Sequence, residues 1–304
     1  MDNTSILVLG AGELGMVVLR NLAQHPKRSS GAIITVLLKP STIESKDPAK
    51  RRDIAELRFL GVEVIPGDLS ASVTELSGIF KRFHTVICCT GFVTGRGLQI
   101  KLVKAILNAG VKRYFPWQFG VDYDVIGKGS AQDLFDEQLD VRNHLRSQNK
   151  TEWVIISTGM FTSFLFEPSF GVVDLANSTV HALGSWETAV TVTTPEDIGK
   201  LTAEIYYYQP RITNSVVYTG GDTITYGQLA DIVDTITDKK INRVEWDVRK
   251  LRADLVQDPD DAIKKYRVVF AEGKGVSWDI EKTFNAQQKL ATMDVIHWVK
   301  KHLN

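Results

Sequence analysis

The stretch Ile6-Leu7-Val8-Leu9-Gly10-Ala11-Gly12-Glu13-Leu14-Gly15 decides the fold of this chain. An apolar run of strand length leads into Gly-x-Gly-x-x-Gly, and an amphipathic helical pattern follows at once. In such a turn the first glycine permits the tight bend, the second lets a pyrophosphate approach the backbone, and the third lets the helix pack close to the strand. The N–H groups at the start of the helix favour phosphate. The residues predicted to hold a dinucleotide are Gly10, Gly12, Glu13, Leu14 and Gly15.

The composition is that of an ordinary globular protein. The 304 residues are 43% hydrophobic and 24% charged, and 36 basic side chains balance 36 acidic ones. This balance predicts no attraction to nucleic acid or to an anionic membrane surface. No apolar run reaches the ~18 residues of a membrane span, and no basic segment precedes the first apolar run, so we expect a cytoplasmic protein. Cys88 and Cys89 are adjacent and the histidines are scattered, which predicts buried thiols and no metal site.

Short apolar runs alternate with helical patterns in the first half of the chain. Strands are predicted at 5–9, 33–38, 62–65, 85–89, 113–115 and 153–157. Helices are predicted at 13–25, 48–60, 72–82, 97–109 and 130–147. Repeated strand–helix units with nearly unbroken apolar strands are typical of a doubly wound parallel sheet. We therefore predict an α/β fold, with a dinucleotide-binding Rossmann domain over residues 1–157.

The pattern changes after residue 157. Strands are predicted at 171–181, 188–193 and 216–218, and helices at 225–235, 249–256 and 281–302. Pro195 opens a further helix, with Thr194 as its N-cap. These shorter elements predict a smaller α+β substrate-binding domain over residues 158–304, packed against the first. Ligands in this architecture bind beyond the carboxyl ends of the strands, so the site is expected in the loops that follow them.

The end of the second strand indicates which dinucleotide is bound. A carboxylate at this point accepts hydrogen bonds from the ribose 2′-hydroxyl of NAD. This strand ends instead in Lys39-Pro40-Ser41-Thr42. A cation and two hydroxyl groups suit the 2′-phosphate of NADP, so we predict NADP(H), with Lys39, Ser41 and Thr42 at the phosphate. Arg51 and Arg52 either add charge from the next helix or form a solvated face.

Motifs along most of the chain are similar to those of one known family. The similar segments are 10–15, Leu38-Lys39-Pro40-Ser41-Thr42, Gly67-Asp68-Leu69, Lys112-Arg113-Tyr114-Phe115-Pro116-Trp117-Gln118-Phe119-Gly120, Phe135-Asp136-Glu137-Gln138-Leu139-Asp140-Val141-Arg142 and Thr193-Thr194-Pro195-Glu196-Asp197-Ile198-Gly199. Together they resemble the isoflavone reductase-like, or NmrA-like, atypical short-chain dehydrogenases, in particular the branch of aromatic alcohol and phenylcoumaran benzylic ether reductases. The resemblance implies a Rossmann fold and an NADPH-dependent reduction.

The chain departs from the family pattern where the chemistry takes place. By this resemblance, the plant reductases have Phe-Pro-Ser-Glu-Phe-Gly after the fifth strand and Phe-x-x-Lys-x-x-x-Arg on the next helix, and that lysine acts as general acid or base. Aligned on Phe135 and Arg142, the lysine position is Gln138, and the Ser-Glu pair is Trp117-Gln118. A lysine can transfer a proton, whereas a glutamine amide only donates and accepts hydrogen bonds.

Three hypotheses follow from Gln138. In the first, reduction continues and the proton comes from Asp122, Tyr123, Asp124 or Lys128, or from water held by Gln138. In the second, the protein is a cyclase or isomerase, or acts on imines or iminium ions, because a substrate that arrives charged needs no lysine. In the third, it is a non-catalytic NADP(H) redox sensor.

Aromatic side chains in the loops after the strands indicate the substrate. Trp117, Phe119, Phe161 and Phe164, together with Phe92, either line a pocket or form part of a core. As a pocket they predict a bulky, flat aromatic substrate.

The remaining residues of the predicted site follow the fourth and fifth strands. Thr90 and Gly91 are expected to flank the ribose or nicotinamide, and Phe115 and Pro116 to pack near the nicotinamide. We therefore predict an NADPH-dependent reductase of a bulky aromatic or heteroaromatic small molecule, in specialised metabolism, acting as a monomer or homodimer.

Overall fold

Seven strands form the largest sheet of the structure, a computed structural model that describes residues 5–91 and 95–303. They are β1 (Ser5–Leu9), β2 (Ile33–Leu38), β3 (Val62–Pro66), β4 (Thr85–Cys88), β5 (Arg113–Phe115), β6 (Glu152–Ser157) and β11 (Ser215–Tyr218). Their order is β11-β6-β5-β4-β1-β2-β3, and every neighbouring pair from β6 to β3 is parallel. The chain passes back over β2 and β1 between β3 and β4, which confirms the doubly wound Rossmann sheet.

Helices connect the strands of this sheet. They are α1 (Glu13–Gln24), α2 (Pro40–Ile43), α3 (Pro48–Phe59), α4 (Val73–Phe80), α5 (Leu98–Ala109), α6 (Tyr123–Ile126), α7 (Leu134–Arg146) and α8 (Pro195–Tyr207). All but the short α2 and α6 lie where the sequence predicts a helix. Leu7 of β1 and Val86 of β4 are fully buried in one core with Leu102 and Ile106 of α5. These strands are continuously apolar because helices cover them.

The later strands form two three-stranded sheets. One has the order β12-β10-β7, with β7 (Met160–Phe161), β10 (Ala189–Thr193) and β12 (Asp222–Thr225). The other has the order β13-β9-β8, with β8 (Val173–Asp174), β9 (Thr179–Leu183) and β13 (Asn242–Trp246). The helices here are α9 (Tyr226–Thr237), α10 (Val248–Gln257), α11 (Ala262–Glu272), α12 (Phe284–Gln287) and α13 (Val295–His302). Nowhere in residues 5–91 and 95–303 does a helix have the length and apolar character needed to span a membrane.

The chain packs as two compact units, and each is assembled from separated segments. The first unit runs to Gln118 and includes Asp140–Ile156 and Ile198–Val217. The second comprises Phe119–Leu139, Ser157–Asp197 and the chain from Tyr218 onward. These packing units differ from the two consecutive blocks, 1–157 and 158–304, that the sequence predicts as functional domains.

Arg113 holds the late segment in the first unit. Its guanidinium donates to the carbonyl oxygens of Tyr206 at 3.1 Å and Ile212 at 3.0 Å. It also lies 4.9 Å from the ring centroid of Phe115 and 5.2 Å from that of Tyr206. Burial lowers the pKa of Arg113 to about 10. The two acceptors lie far along the chain from Arg113, so no local sequence pattern predicts this attachment.

The prediction of one long helix over 281–302 is wrong. The structure has a 3₁₀ turn at Ile280–Lys282, the short α12, and then α13. Two N-caps divide the segment, because the Thr283 hydroxyl accepts from the N–H of Ala286 and the Asp294 carboxylate accepts from the N–H of His297. Lys289 between them has a φ of 54°, which ends any continuous helix.

We predict that Tyr226→Phe stabilises the protein. The Tyr226 side chain is fully buried, and its hydroxyl has no hydrogen-bond partner among residues 5–91 and 95–303. Because an unsatisfied buried hydroxyl is costly, its removal should raise the free energy of unfolding by about 1 kcal/mol in urea denaturation.

The control for this prediction is Tyr207→Phe. The Tyr207 hydroxyl donates to the carbonyl oxygen of Leu22 at 3.3 Å, so this variant should lose stability. Equal losses in the two variants would show that the Tyr226 hydroxyl is satisfied in solution.

Candidate functional site

The three glycines of the turn between β1 and α1 have different surroundings. Gly10 has a φ of 89°, which favours glycine. A Cβ on Gly15 would lie 2.2 Å from the carbonyl oxygen of Gly10, so only glycine allows α1 to pack this close to β1. A Cβ on Gly12 would meet no heavy atom within 4 Å. Gly12 is the N-cap of α1 and has no side chain to cap the N–H groups of the first turn.

A cavity of about 690 Å³ lies beside this turn, and all of its lining residues belong to the first unit. We call it the Gly10 cavity. Its lining residues are Gly10, Ala11, Gly12, Leu37, Leu38, Lys39, Thr42, Gly67, Asp68, Leu69, Ser70, Thr90, Arg96, Gly97, Leu98 and Lys101. The cavity is therefore lined by the ends of β1, β2 and β3, the loop after β4 and the start of α5. This is the edge of the sheet where ligands bind in this architecture.

Cations outnumber carboxylates in the Gly10 cavity. Lys39, Arg96 and Lys101 line it together with one carboxylate, Asp68. Hydrogen bonds from Ser70, followed by the charges of Lys39 and Lys101, hold the pKa of Asp68 below its ordinary value. The remaining positive charge and the N–H groups at the start of α1 suit a ligand with several phosphate groups.

Five residues predicted to contact the cofactor lie together in this cavity. They are Gly10, Gly12, Lys39, Thr42 and Thr90. The other predicted residues do not line it: Glu13 and Ser41 are exposed, Leu14, Phe115 and Pro116 are buried, Gly15 is packed against Gly10, and Gly91 lies against Trp117. The cofactor contacts of both groups stay predictions.

Several lining residues were not assigned to the site from the sequence. Asp68, although it belongs to the quoted motif Gly67-Asp68-Leu69, and Ser70 both follow β3, where the rule that ligands bind after the strands applies. Arg96 and Lys101 flank the start of α5, and no local motif marks them. Gln99, which is 2% exposed, donates from its side chain to the carbonyl oxygen of Thr90 at 2.8 Å and holds the loop after β4.

The loop after β4 also rests on an aromatic ring. A Cβ on Gly91 would lie 2.6 Å from Cζ2 of Trp117, so glycine is required where the two loops meet.

Cys88 and Cys89 are both buried free thiols, as predicted, and burial raises the pKa of Cys88 to about 12. Phe92 lies outside the described residues.

A buried arginine lies next to the end of β5. Arg142 of α7 is fully buried, and its Nε donates to the side-chain oxygen of Gln118 at 2.7 Å. Gln118 is fully buried as well. A neutral amide thus accepts from a permanent cation here.

The second unit contains the predicted catalytic residues. Gln138 is fully buried on α7. The Asp122 carboxylate accepts from the N–H groups of Asp124 and Val125, and from the hydroxyl of Tyr218 at 2.6 Å. Tyr123 is 3% exposed in the hydrophobic core of this unit. Asp122 therefore caps α6, and Tyr123 contributes to the core.

The predicted substrate residues of the second unit are placed differently from one another. Phe119 is buried, and Phe161 is half-buried in β7. Phe164 stacks on Phe170 with ring centroids 4.5 Å apart and meets the edge of Tyr266 at 6.1 Å. Phe164 thus packs within the core, and the substrate role of these residues stays a prediction.

Comparison with known proteins gives one family and several similar chains. The model of the NmrA-like family matches residues 2–294. An NmrA-like family domain-containing oxidoreductase of Gibberella moniliformis is 46% identical over 297 residues, which are 97% of each chain. Phenylcoumaran benzylic ether reductase 1 of Arabidopsis thaliana is 25% identical over 300 residues, covering 95% of this chain and 94% of that one. The solved structure "AtPrR2 with NADP+ and (+)pinoresinol" has a TM-score of 0.78 at 22% identity, covers 99% of both chains, and agrees in fold.

We predict different effects on stability for alanine at two of the glycines. Gly15→Ala should lower the free energy of unfolding by about 3 kcal/mol, because its Cβ would clash with backbone atoms of Gly10. Gly12→Ala should stay within about 0.5 kcal/mol of the parent, because its Cβ points into open space. Thermal and urea denaturation of both variants test this, and a large loss with Gly12→Ala would contradict the open geometry at the turn.

Proposed function

The chain belongs to the NmrA-like family, and on that premise we propose that it is an NADPH-dependent reductase of a bulky aromatic or heteroaromatic small molecule in specialised metabolism. The observation that carries the proposal is the Gly10 cavity, in which an uncapped helix start and three cations surround a glycine turn. Relatives whose names state reduction of phenylcoumaran benzylic ethers support the aromatic substrate class.

The residues of the Gly10 cavity fit NADP(H). Gly12 leaves the space that a pyrophosphate needs next to the N–H groups of α1. Lys39 and Thr42, at the end of β2, would hold the 2′-phosphate, with Ser41 next to them on α2. When bound, NADPH supplies a hydride to the substrate. The similar structure "AtPrR2 with NADP+ and (+)pinoresinol" names the oxidised form of this cofactor and supports the choice.

The assignment of NADP(H) over NAD(H) rests on the charge at the end of β2. Lys39 is the residue that follows the strand, and it lines the Gly10 cavity. Asp68, the carboxylate in this cavity, lies after β3 and is occupied by hydrogen bonds from Ser70. A cation at the end of β2 favours a phosphate on the ribose over a free hydroxyl.

Gln138 is the residue of α7 that we assign to substrate or water positioning. Its buried amide can donate hydrogen bonds and accept them, but it cannot supply a proton. Asp122 and Tyr123 are weaker candidates as proton donors, because Asp122 caps α6 and Tyr123 lies in a hydrophobic core. A substrate that already carries its proton, such as an iminium ion, needs no such donor.

The alternatives keep the same cofactor and differ in chemistry. A cyclase or isomerase acting on imines or iminium ions is favoured by Gln138, since such chemistry needs no lysine at this position. A non-catalytic redox sensor would use the Gly10 cavity to distinguish NADPH from NADP+. Oxidation of NADPH in the presence of aromatic ketones and ethers favours the reductase over both alternatives, and oxidation of NADPH with imines alone favours imine reduction.

We predict that the protein binds NADPH at least about tenfold more tightly than NADH, which corresponds to roughly 1.4 kcal/mol. Lys39→Ala should remove most of this preference. It should lower the affinity for NADPH and leave the affinity for NADH unchanged, because NADH has no 2′-phosphate. Parallel calorimetric titrations with NADPH, NADP+ and NADH measure these affinities. Equal affinities for NADPH and NADH in the parent would overturn the assignment to NADP(H), and a strong preference between NADPH and NADP+ would favour the sensor.

We predict that Gln138→Ala lowers kcat on the identified substrate and leaves the Kd for NADPH within about twofold of the parent. The reason is that Gln138 is not among the lining residues of the Gly10 cavity but is assigned to substrate or water. Asp122→Asn and Tyr123→Phe, assayed over a range of pH, test the two candidate proton donors. If turnover of Gln138→Ala is unchanged, Gln138 has no place in the site.

A further inference from the structure

A second cavity of the first unit lies between α2 and one face of α3. It has a volume of about 430 Å³, which lies in the range of small-molecule sites. We call it the α3 cavity. Its lining residues are Ile43, Glu44, Ser45, Lys46, Arg51, Ile54, Ala55 and Arg58. None of these residues lines the Gly10 cavity.

Four of the lining residues form one face of α3. Arg51, Ile54, Ala55 and Arg58 are separated by three, one and three positions, which places them on the same side of a helix. An arginine therefore stands at each end of a short apolar strip. This geometry suits a ligand that has an apolar body and a charged group.

The helix that carries these arginines is held firmly. Asp47 caps its start by accepting from the N–H of Ala49 at 2.8 Å. Leu57 is fully buried, and Arg20 of α1 forms an ion pair with Glu56 of α3. The two arginines therefore project from a fixed backbone, which lowers the entropy lost when a ligand binds.

The cations of the α3 cavity are not engaged elsewhere in the part of the chain that the structure describes. Lys46, Arg51 and Arg58 form no ion pair or side-chain hydrogen bond with any other residue of 5–91 and 95–303. Glu44 is the carboxylate among the lining residues, so cations outnumber it three to one. Guanidinium groups pair with carboxylate and phosphate in bidentate geometry, so the cavity favours an anion.

The floor of the cavity is apolar. Ile54 is 7% exposed, and Ile43 is half-buried beside it. We propose that the α3 cavity binds a small organic anion, with its carboxylate or phosphate between Arg51, Arg58 and Lys46 and its apolar body against Ile43 and Ile54. This proposal does not depend on the proposed reductase function, because the two cavities share no residue.

The test is a calorimetric titration of the full chain with phenyl phosphate. We expect saturable binding that the double variant Arg51→Ala/Arg58→Ala weakens at least about tenfold, since both guanidinium groups are lost. Arg52→Ala is the matched control, because Arg52 is an exposed arginine of the same helix outside the cavity lining. It should leave the affinity within about twofold of the parent.

Further arms of the experiment identify what the cavity recognises. Benzyl alcohol, which has no charge, should not bind measurably, and inorganic phosphate, which has no apolar body, should bind more weakly than phenyl phosphate. Benzoate against phenyl phosphate distinguishes a carboxylate site from a phosphate site. Affinity for inorganic phosphate equal to that for phenyl phosphate would overturn the apolar part of the proposal.

Variants of the Gly10 cavity separate this proposal from the proposed function. Lys39→Ala should leave the binding of phenyl phosphate at the α3 cavity unchanged, and Arg51→Ala/Arg58→Ala should leave the Kd for NADPH unchanged. If the double variant has no effect and Lys39→Ala removes binding, the anion occupies the Gly10 cavity and the proposal is wrong. Loss of NADPH affinity in Arg51→Ala would likewise assign Arg51 to the cofactor and overturn the proposal, and absence of saturable binding would show a solvated cationic face.

Discussion

The close contact between Gly15 and the carbonyl oxygen of Gly10 is the constraint on which the Gly10 cavity depends. Any Cβ at position 15 would lie within 2.2 Å of that oxygen, so α1 reaches its position against β1 only with glycine. The contact places the start of α1 at the carboxyl end of β1, beside β4. The Thr90 hydroxyl donates to the carbonyl oxygen of Leu9 at 3.0 Å and fixes the neighbouring loop. The turn that precedes α1 then lines the Gly10 cavity, and no side chain caps the start of the helix.

The charge of that cavity comes from elements that are distant in sequence. Lys39 follows β2, Asp68 follows β3, and Lys101 belongs to α5. The chain as a whole has equal numbers of acidic and basic side chains, so the total charge does not predict a positive site. The positive charge of the cavity arises because parallel strands place their carboxyl ends, and the residues that follow them, at one edge of the sheet. Lys101 could not be predicted from the sequence, because it lies far from Asp68 along the chain and only the fold brings its charge close to that carboxylate.

Elements that local signals define could be predicted from the sequence. β1 and β2 have the predicted bounds, because buried parallel strands leave a nearly unbroken apolar run between turn residues. The glycine turn and Lys39 were found for the same reason, since both adjoin such a strand. β5 also has the predicted bounds, although it begins with Arg113. The prediction of one helix over 281–302 was wrong. The apolar residues repeat with helical spacing, but Thr283 and Asp294 each cap the start of a separate short helix. Capping depends on backbone geometry that periodicity does not contain.

Arg142 and Gln118 form a fully buried hydrogen-bonded pair in the first unit. A fully buried guanidinium is costly unless hydrogen bonds satisfy it, and the Gln118 oxygen at 2.7 Å supplies one of them. Because the Gln118 amide is neutral, it satisfies a donor of Arg142 without cancelling the positive charge, so this buried pair depends on the hydrogen bond itself rather than on an opposite charge at position 118.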